Sequence, residues 1–231
     1  MKKYRYIAAL LITLGLALGL AQPVFALPLD GRVVVVDAGH GGWDPGMVSG
    51  KVDEKDINLA IAKKLQSYLE LGGAIVIITR ENDDDLARNK SGDMAARRLI
   101  ANTAKADIFV SIHQNAFGSS AVHGAQTFYF DESGNSKKLA EAIQHQLKTF
   151  TNPGNRFNAR ANDNYFVLKQ TEMPAVLVEC GFLTNPSEKS RLLTEKYQEK
   201  VAWGIYMGIV DYFYANVGEE PTASPPSPAP E

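Results

Sequence analysis

Four short apolar runs constrain the fold of this chain more than any other feature. They cover residues 32–37, 74–79, 108–113 and 175–179, and they are rich in valine and isoleucine. A continuous apolar run of this length is typical of a strand that is buried on both faces of a parallel sheet. We therefore predict four buried strands at these positions.

Helical patterns lie between and after these strands. Over residues 54–71 the apolar side chains recur at helical spacing, and the pair Gly72-Gly73 follows as a helix end. Proline in the first turn after Asn185 indicates the start of another helix. The remaining helices are predicted over residues 94–104, 136–150 and 197–214.

Two more strands complete the pattern. Residues 125–130 alternate in character and predict a more exposed strand at a sheet edge, and residues 165–168 predict another strand. The order of strands and helices predicts a single-domain α/β fold. We expect an open, mostly parallel, twisted sheet of about six strands with helices on both faces.

Residues 1–26 have the pattern of a targeting segment. Basic residues precede an apolar stretch over residues 7–21, and small residues follow at the usual cleavage positions. The stretch is short for a membrane span, which needs about 20 apolar residues. We predict a signal peptide that is cleaved after Ala26, with a retained N-terminal anchor and membrane association as the alternative. Either case makes the rest of the chain exported, at the cell wall or the outer face of the membrane.

The composition excludes several classes of site and partner. The formal net charge is −2 and no basic run occurs, which argues against nucleic acid as a partner. Cys180 is the single cysteine, so an intramolecular disulfide is impossible, and we predict that it packs as a small buried hydrophobe. Residues 217–231 are rich in proline and predict a disordered tail without a catalytic role.

Four side chains are the candidates for the active site: His40, Glu54, His113 and Glu179. Three of them follow or end predicted parallel strands, whose carboxyl ends form the usual site of such folds. Two neutral imidazoles and one carboxylate, with one position left open, form a catalytic rather than a structural zinc shell. A fourth carboxylate can then carry protons.

Each histidine segment also has a structural explanation. His40 stands among glycines in what could be a plain surface turn, and His113 could be a buried histidine that bonds a backbone carbonyl. The polar residues after His113 fit the mouth of a cleft, where Asn115 is a candidate for binding substrate. His123 and Trp43 are weaker candidates for lining that cleft.

The two glutamates have similar alternatives. Glu54 opens a helix, where an acidic residue favours the helix dipole without any metal, and Asp53 and Asp56 compete with it as ligands. Glu179 ends a buried strand, where a carboxylate needs a hydrogen bond, a cation or an ion-pair partner. The metal centre is therefore a hypothesis about all four residues together.

Four blocks of the sequence resemble one known family. They are Asp37–Gly42 (DAGHGG), Glu54–Ala60 (EKDINLA), Ser111–Asn115 (SIHQN) and Pro174–Asn185 (PAVLVECGFLTN), and they occur in the family's order. On these blocks the chain, from about Arg32 to Phe213, resembles the zinc-dependent N-acetylmuramoyl-L-alanine amidases of the type-3 amidase group. The length of the chain and the sequence blocks in its C-terminal half are also similar to those of the amidases that act in spore cortex maturation.

The resemblance implies a fold, a reaction and a role for each candidate. Residues 27–216 form the catalytic domain, His40, Glu54 and His113 bind Zn²⁺, and Glu179 is the catalytic acid and base. The substrate is peptidoglycan, cleaved at the amide between the lactyl group of N-acetylmuramic acid and L-alanine. An accessory activator is left open. The acidic run over residues 81–85 departs from the family pattern.

Two other functions remain as alternatives to the amidase. A zinc peptidase or deacetylase would use the same metal shell on a different bond. A catalytically silent peptidoglycan-binding or activator protein would need none of the four residues, so their joint presence argues against it.

Overall fold

The fold is built on a six-stranded sheet in the computed structural model, which describes residues 27–130 and 134–216. Within these residues the strands are β1 (Val33–Ala38), β2 (Val48–Ser49), β3 (Val52–Asp53), β4 (Ile75–Ile78), β5 (Ile108–Asn115), β6 (Gln126–Tyr129), β7 (Arg160–Ala161) and β8 (Ala175–Phe182). The sheet has the order β4-β1-β5-β8-β6-β7, whereas β2 and β3 form a separate antiparallel pair. All pairs in the sheet are parallel except β6 with β8.

Helices cover both faces of this sheet. They are α1 (Glu54–Leu71), α2 (Lys90–Ala104), α3 (Asn135–Thr151), α4 (Phe166–Lys169), α5 (Pro186–Leu192) and α6 (Glu195–Asn216). Apolar side chains of α1, α3 and α6 pack on one face, and those of α2 and α4 pack on the other. The predicted α/β architecture is confirmed, including its mostly parallel sheet.

The sequence signals at the helix ends correspond to real caps. Helix α1 has the predicted bounds and ends at Gly72, whose N–H donates to the carbonyl of Tyr68, and the N–H of Gly73 donates to that of Glu70. Helix α5 begins with Pro186, and the side chain of Asn185 accepts from the N–H of Glu188. Cys180 is fully buried in the larger core, as predicted.

Two predictions about burial at the sheet edges are wrong. β4 is an edge strand, and Ile75 at its start is 57% exposed. β6 is buried throughout and lies between β8 and β7. The side chain of Gln126 donates to the carbonyl of Asn158, and the N–H of Thr127 donates to the side chain of Gln144. The hydroxyl of Thr127 is buried without a hydrogen-bond partner among the described residues.

The strand that was predicted over residues 165–168 is instead the one-turn helix α4. The N–H of Leu168 bonds the carbonyl of Tyr165, and Val167 and Leu168 pack against the sheet. An apolar run this short has no periodicity that separates a strand from a helical turn. The consequence for the site is that Tyr165 becomes the residue that precedes a helix rather than part of a strand.

The predictions for residues 1–26 and 217–231 lie outside the described residues. In the described part of the chain, no helix combines the length and the apolar character that crossing a bilayer requires.

Candidate metal centre and active site

The three predicted metal ligands meet at the carboxyl end of the sheet. Nε2 of His40 lies 3.3 Å from Oε1 of Glu54, and Nδ1 of His113 lies 3.0 Å from the same oxygen. One ligand atom from each residue lies within 4.8 Å of the others. Across the described residues this is the one group of three or more His, Cys, Asp or Glu side chains with metal-like spacing.

His40 reaches this point from a turn that follows β1. Its backbone is left-handed, with φ of 61°, and Gly41 and Gly42 after it also have positive φ. Its Nδ1 lies 2.9 Å from a carboxylate oxygen of Asp44, which turns Nε2 toward Glu54. A carboxylate on the second ring nitrogen is the usual way in which a metal-binding histidine is oriented.

Glu54 is the first residue of α1 and is almost completely buried. Its Oε1 accepts from the N–H of Gln114 at 3.0 Å and from the side chain of Asn58 at 3.2 Å, and its Oε2 accepts from the N–H of Met47 at 2.8 Å. Burial raises the pKa of Glu54, but the hydrogen bonds and charges of the two histidines outweigh it and hold the pKa far below its usual range. The carboxylate is therefore ionised at neutral pH, as a metal ligand must be.

The helix-dipole explanation does not account for Glu54, because its carboxylate turns inward to the histidines. The competing carboxylates do not join it. Asp53 is the residue that caps α1 and makes no side-chain capping bond, and Asp56 is exposed.

His113 lies in β5, where its ring packs on the backbone of the first turn. A Cβ at Gly39 would lie 2.3 Å from Cε1 and Nε2 of His113. A Cβ at Gly46 would lie 2.5 Å from Oε2 of Glu54 and 2.7 Å from Cδ2 of His40. Two glycines therefore leave room for the ligand side chains to converge, and the donor set of two imidazoles and one carboxylate fits a catalytic zinc ion.

Glu179 stands beside this cluster on the neighbouring strand. It pairs in register with His113, and only 7% of it is exposed. Its Oε1 accepts from the hydroxyl of Tyr165 at 3.3 Å, and its Oε2 is buried without a hydrogen-bond partner among the described residues. Burial, supported by the charge of Glu54, raises the pKa of Glu179 to about 7. A carboxyl group with this pKa can take and return a proton near neutral pH.

A cavity of about 370 Å³ opens over these groups. Its floor carries the four candidate residues, and Met94, Phe166 and Val167 are among the apolar residues of its walls. A molecule in this cavity would lie next to the candidate metal ligands and Glu179.

The weaker candidates lie away from the cavity lining. Asn115 ends β5, and its side chain accepts from the N–H of Ala116 at 2.8 Å. His123 is exposed in a separate depression, and Trp43 is 48% exposed with its Nε1 donating to the carbonyl of Ala87.

The acidic run that departs from the family pattern packs against the glycine turn. Asp83 accepts from the N–H of Gly42 at 2.9 Å and from Nζ of Lys55 at 2.6 Å. The run therefore supports the turn that carries His40.

Sequence reasoning missed three residues that the structure places at the site. Tyr165, which bonds Glu179, belongs to the run that was wrongly predicted to be a strand. Asp44, which bonds His40, follows the glycine turn and has no distinctive sequence pattern. Arg97 and Arg98 are adjacent in α2, and Arg97 is the buried one, bonded to Asp37. Which of the two arginines is buried depends on how α2 is rotated about its axis against the sheet. The sequence does not define this rotation closely enough.

The comparison with known proteins agrees with this geometry. The sequence model of a family described as N-acetylmuramoyl-L-alanine amidase matches residues 34–211. The chain belongs to this family. It is 41% identical to the germination-specific N-acetylmuramoyl-L-alanine amidase of Bacillus subtilis, over 82% of this chain and 83% of that protein.

Solved structures show the same fold. The CwlD amidase from Clostridioides difficile, in complex with the GerS lipoprotein, has a TM-score of 0.78 and 41% identity over 80% of this chain and 100% of that one. An N-acetylmuramoyl-L-alanine amidase from Clostridium difficile 630 has a TM-score of 0.74 and 36% identity over 80% and 98% of the two chains. The predicted family is therefore confirmed.

Proposed function

We propose that this chain is a zinc-dependent hydrolase that cleaves the amide between the lactyl group of N-acetylmuramic acid and L-alanine in peptidoglycan. The observation that carries the proposal is the convergence of His40, Glu54 and His113 beside the buried carboxyl of Glu179. Membership of the amidase family supports the choice of bond.

In this proposal His40, Glu54 and His113 would hold a zinc ion beside the cavity that they line. When bound, zinc supplies a Lewis acid that polarises the scissile carbonyl and lowers the pKa of water to about 7. The protein's part is to fix the three ligands, to orient His40 through Asp44 and to keep Glu54 ionised.

Glu179 carries the proton in both halves of the reaction. Its unpartnered Oε2 takes a proton from the attacking water, and the same carboxyl then gives that proton to the departing nitrogen of L-alanine. The return is required because an unprotonated amine anion is a very poor leaving group. Tyr165 donates to Oε1, which leaves Oε2 as the oxygen without a hydrogen-bond partner among the described residues.

The similarity to a germination-specific amidase supports a spore cortex substrate. Relatives described as cell wall amidases support an exported protein that acts outside the cytoplasmic membrane. The complex of the CwlD amidase with a lipoprotein supports an accessory protein as a partner of this chain as well.

The test is metal analysis of the exported protein together with mass spectrometry of a peptidoglycan digest. We expect about one zinc per chain and new amino termini on L-alanine. Released acetate would support a deacetylase, and cleavage inside the stem peptide would support a peptidase. Binding without any cleavage would support the catalytically silent alternative.

A further inference from the structure

Two buried arginines bind the backbone of the turn that carries His40. Arg80 donates from Nε to the carbonyl of Ala38 at 2.9 Å and from Nη2 to that of Gly39 at 3.2 Å. Arg97 donates from Nη1 to the carbonyl of Ala38 at 2.8 Å and from Nη2 to that of His40 at 2.7 Å. Three consecutive carbonyl groups therefore face two guanidinium groups.

The turn needs this support because His40 has an unfavourable backbone conformation. Its φ of 61° lies in the left-handed region, where a Cβ is disfavoured and glycine is the usual residue. Glycine is not an option here, since the imidazole of His40 faces Glu54. Such a conformation persists only when the surrounding structure imposes it.

Arg97 is held firmly enough to impose the left-handed backbone conformation on His40. Only 3% of the residue is exposed, and its charge is balanced by Asp37, which lies 2.6 Å from Nη1 and also accepts from Ser111 and Thr79. Its Nε donates to Asp93 at 2.6 Å. Four of the five guanidinium N–H groups are thus used within the protein, which leaves little capacity for a substrate.

We propose that Arg97, assisted by Arg80, is a positioning residue that holds His40 in its left-handed conformation and thereby increases the zinc affinity of the site. The inference rests on the proposed function, because it takes His40 as a ligand. It adds a role for a charged cluster that neither binds the metal nor carries the proton.

The first test is Arg97→Lys in the full chain, with Arg98→Lys as the matched control on the next position of α2. Lysine keeps the charge beside Asp37, but three donors on a single nitrogen cannot replace the four bonds that the guanidinium fork makes to Asp37, Asp93 and the carbonyls of Ala38 and His40. We expect zinc affinity, measured by competition with a chromophoric chelator, to fall about tenfold to a hundredfold, as for loss of other supporting contacts of metal ligands. An affinity of Arg97→Lys equal to that of Arg98→Lys would overturn the inference.

A double-mutant cycle separates positioning from a general structural role. In a His40→Ala background there is no imidazole to position, so Arg97→Lys should leave the residual zinc affinity unchanged. An equal loss of affinity in both backgrounds would show that Arg97 supports the whole site, and the inference would be wrong.

A second variant covers the case in which lysine prevents folding. Asp37→Asn with Arg97→Met removes both charges of the fully buried pair together, and the carbonyl contacts are still lost. Asp93 also loses Arg97, but it is partly exposed to solvent and keeps the N–H of Leu86. We expect the same loss of zinc affinity, and unchanged affinity would reject the inference. A wild-type chain that binds no zinc would reject the proposed function instead. If the wild-type chain binds zinc and cleaves peptidoglycan, the proposed function holds and the variants test only the role of Arg97.

Discussion

His113 and Glu179 lie directly opposite each other on the parallel strands β5 and β8. Paired residues on neighbouring strands project to the same side of a sheet, with the strands about 4.8 Å apart. The register therefore fixes the distance between a candidate metal ligand and the candidate proton carrier. The pairing becomes irregular immediately after this point, so the regular part of the ladder ends at the site.

Glu179→Ala tests the proton carrier. We expect the zinc content to stay at the wild-type level, while the rate of peptidoglycan hydrolysis falls roughly 10²-fold or more, because proton transfer in both steps is lost. Glu141→Ala on the exposed side of α3 is the control. Near-normal turnover of the Glu179 variant would remove it from the mechanism.

His113→Ala tests the metal shell. The variant should contain much less zinc after dialysis, because only two of three protein ligands remain. His145→Ala provides the comparison, since His145 is exposed on α3. Metal analysis that finds equal zinc in both variants would exclude His113 from the shell.

Tyr165→Phe tests the hydrogen bond to Glu179. The hydroxyl of Tyr165 lowers the pKa of Glu179 against the larger effect of burial, so its removal should raise that pKa further. The acidic limb of the pH–rate profile should then move to higher pH, with a smaller rate at neutral pH. Tyr214→Phe, at an exposed position, should leave the profile unchanged. An acidic limb that stays in place would contradict the assigned contact.

The contribution of Glu179 to the stability of the metal-free protein should fall as the pH rises from about 4.5 to about 7. Burial raises the pKa of Glu179 from the ordinary value of 4.5 to about 7, so the folded state binds its proton more tightly than the unfolded state does. This contribution is complete below the unfolded pKa and is lost as the pH passes the folded pKa, to a total of up to about 3 kcal/mol.

Urea unfolding in the presence of a chelator, repeated across this pH range, measures the effect. The side chain in Glu179→Gln does not titrate, so the free energy of unfolding of this variant should depend less steeply on pH. The same slope in the variant and in the wild type would assign the effect to other groups.

Cys180 should resist thiol reagents in the folded protein. It is fully buried, and burial raises the pKa of its thiol, so little thiolate forms. Ellman's reagent should react within the dead time only after unfolding. Rapid reaction under native conditions would show that the strand end opens more readily than its packing indicates.

The sequence predicted the features that depend on local patterns. Apolar runs and helical spacing defined the parallel core and the bounds of α1, because burial on both faces and amphipathic periodicity leave direct traces in residue order. Four local motifs were enough to identify the family.

Features that depend on strand pairing were not accessible in this way. Ile75 belongs to an apolar run and yet lies on an edge strand. Its exposure could not be predicted, because nothing within the run specifies whether the strand has one neighbour in the sheet or two. Thr127 looks like a surface residue and is buried in a strand whose N–H is bonded by Gln144, a partner that the local sequence pattern does not reveal. Tyr165 reaches Glu179 only through a turn that the sequence does not distinguish from a strand.

The contact between Gly39 and the ring of His113 limits how this active site can be redesigned. Even a methyl group at position 39 would push the ring out of place, so a library randomised there should recover glycine. Attempts to change the preferred substrate have more freedom at Met94 and Phe166, which line the cavity and are not among the candidate ligands. Directed evolution of new selectivity should therefore begin at the walls of the cleft and keep its floor unchanged.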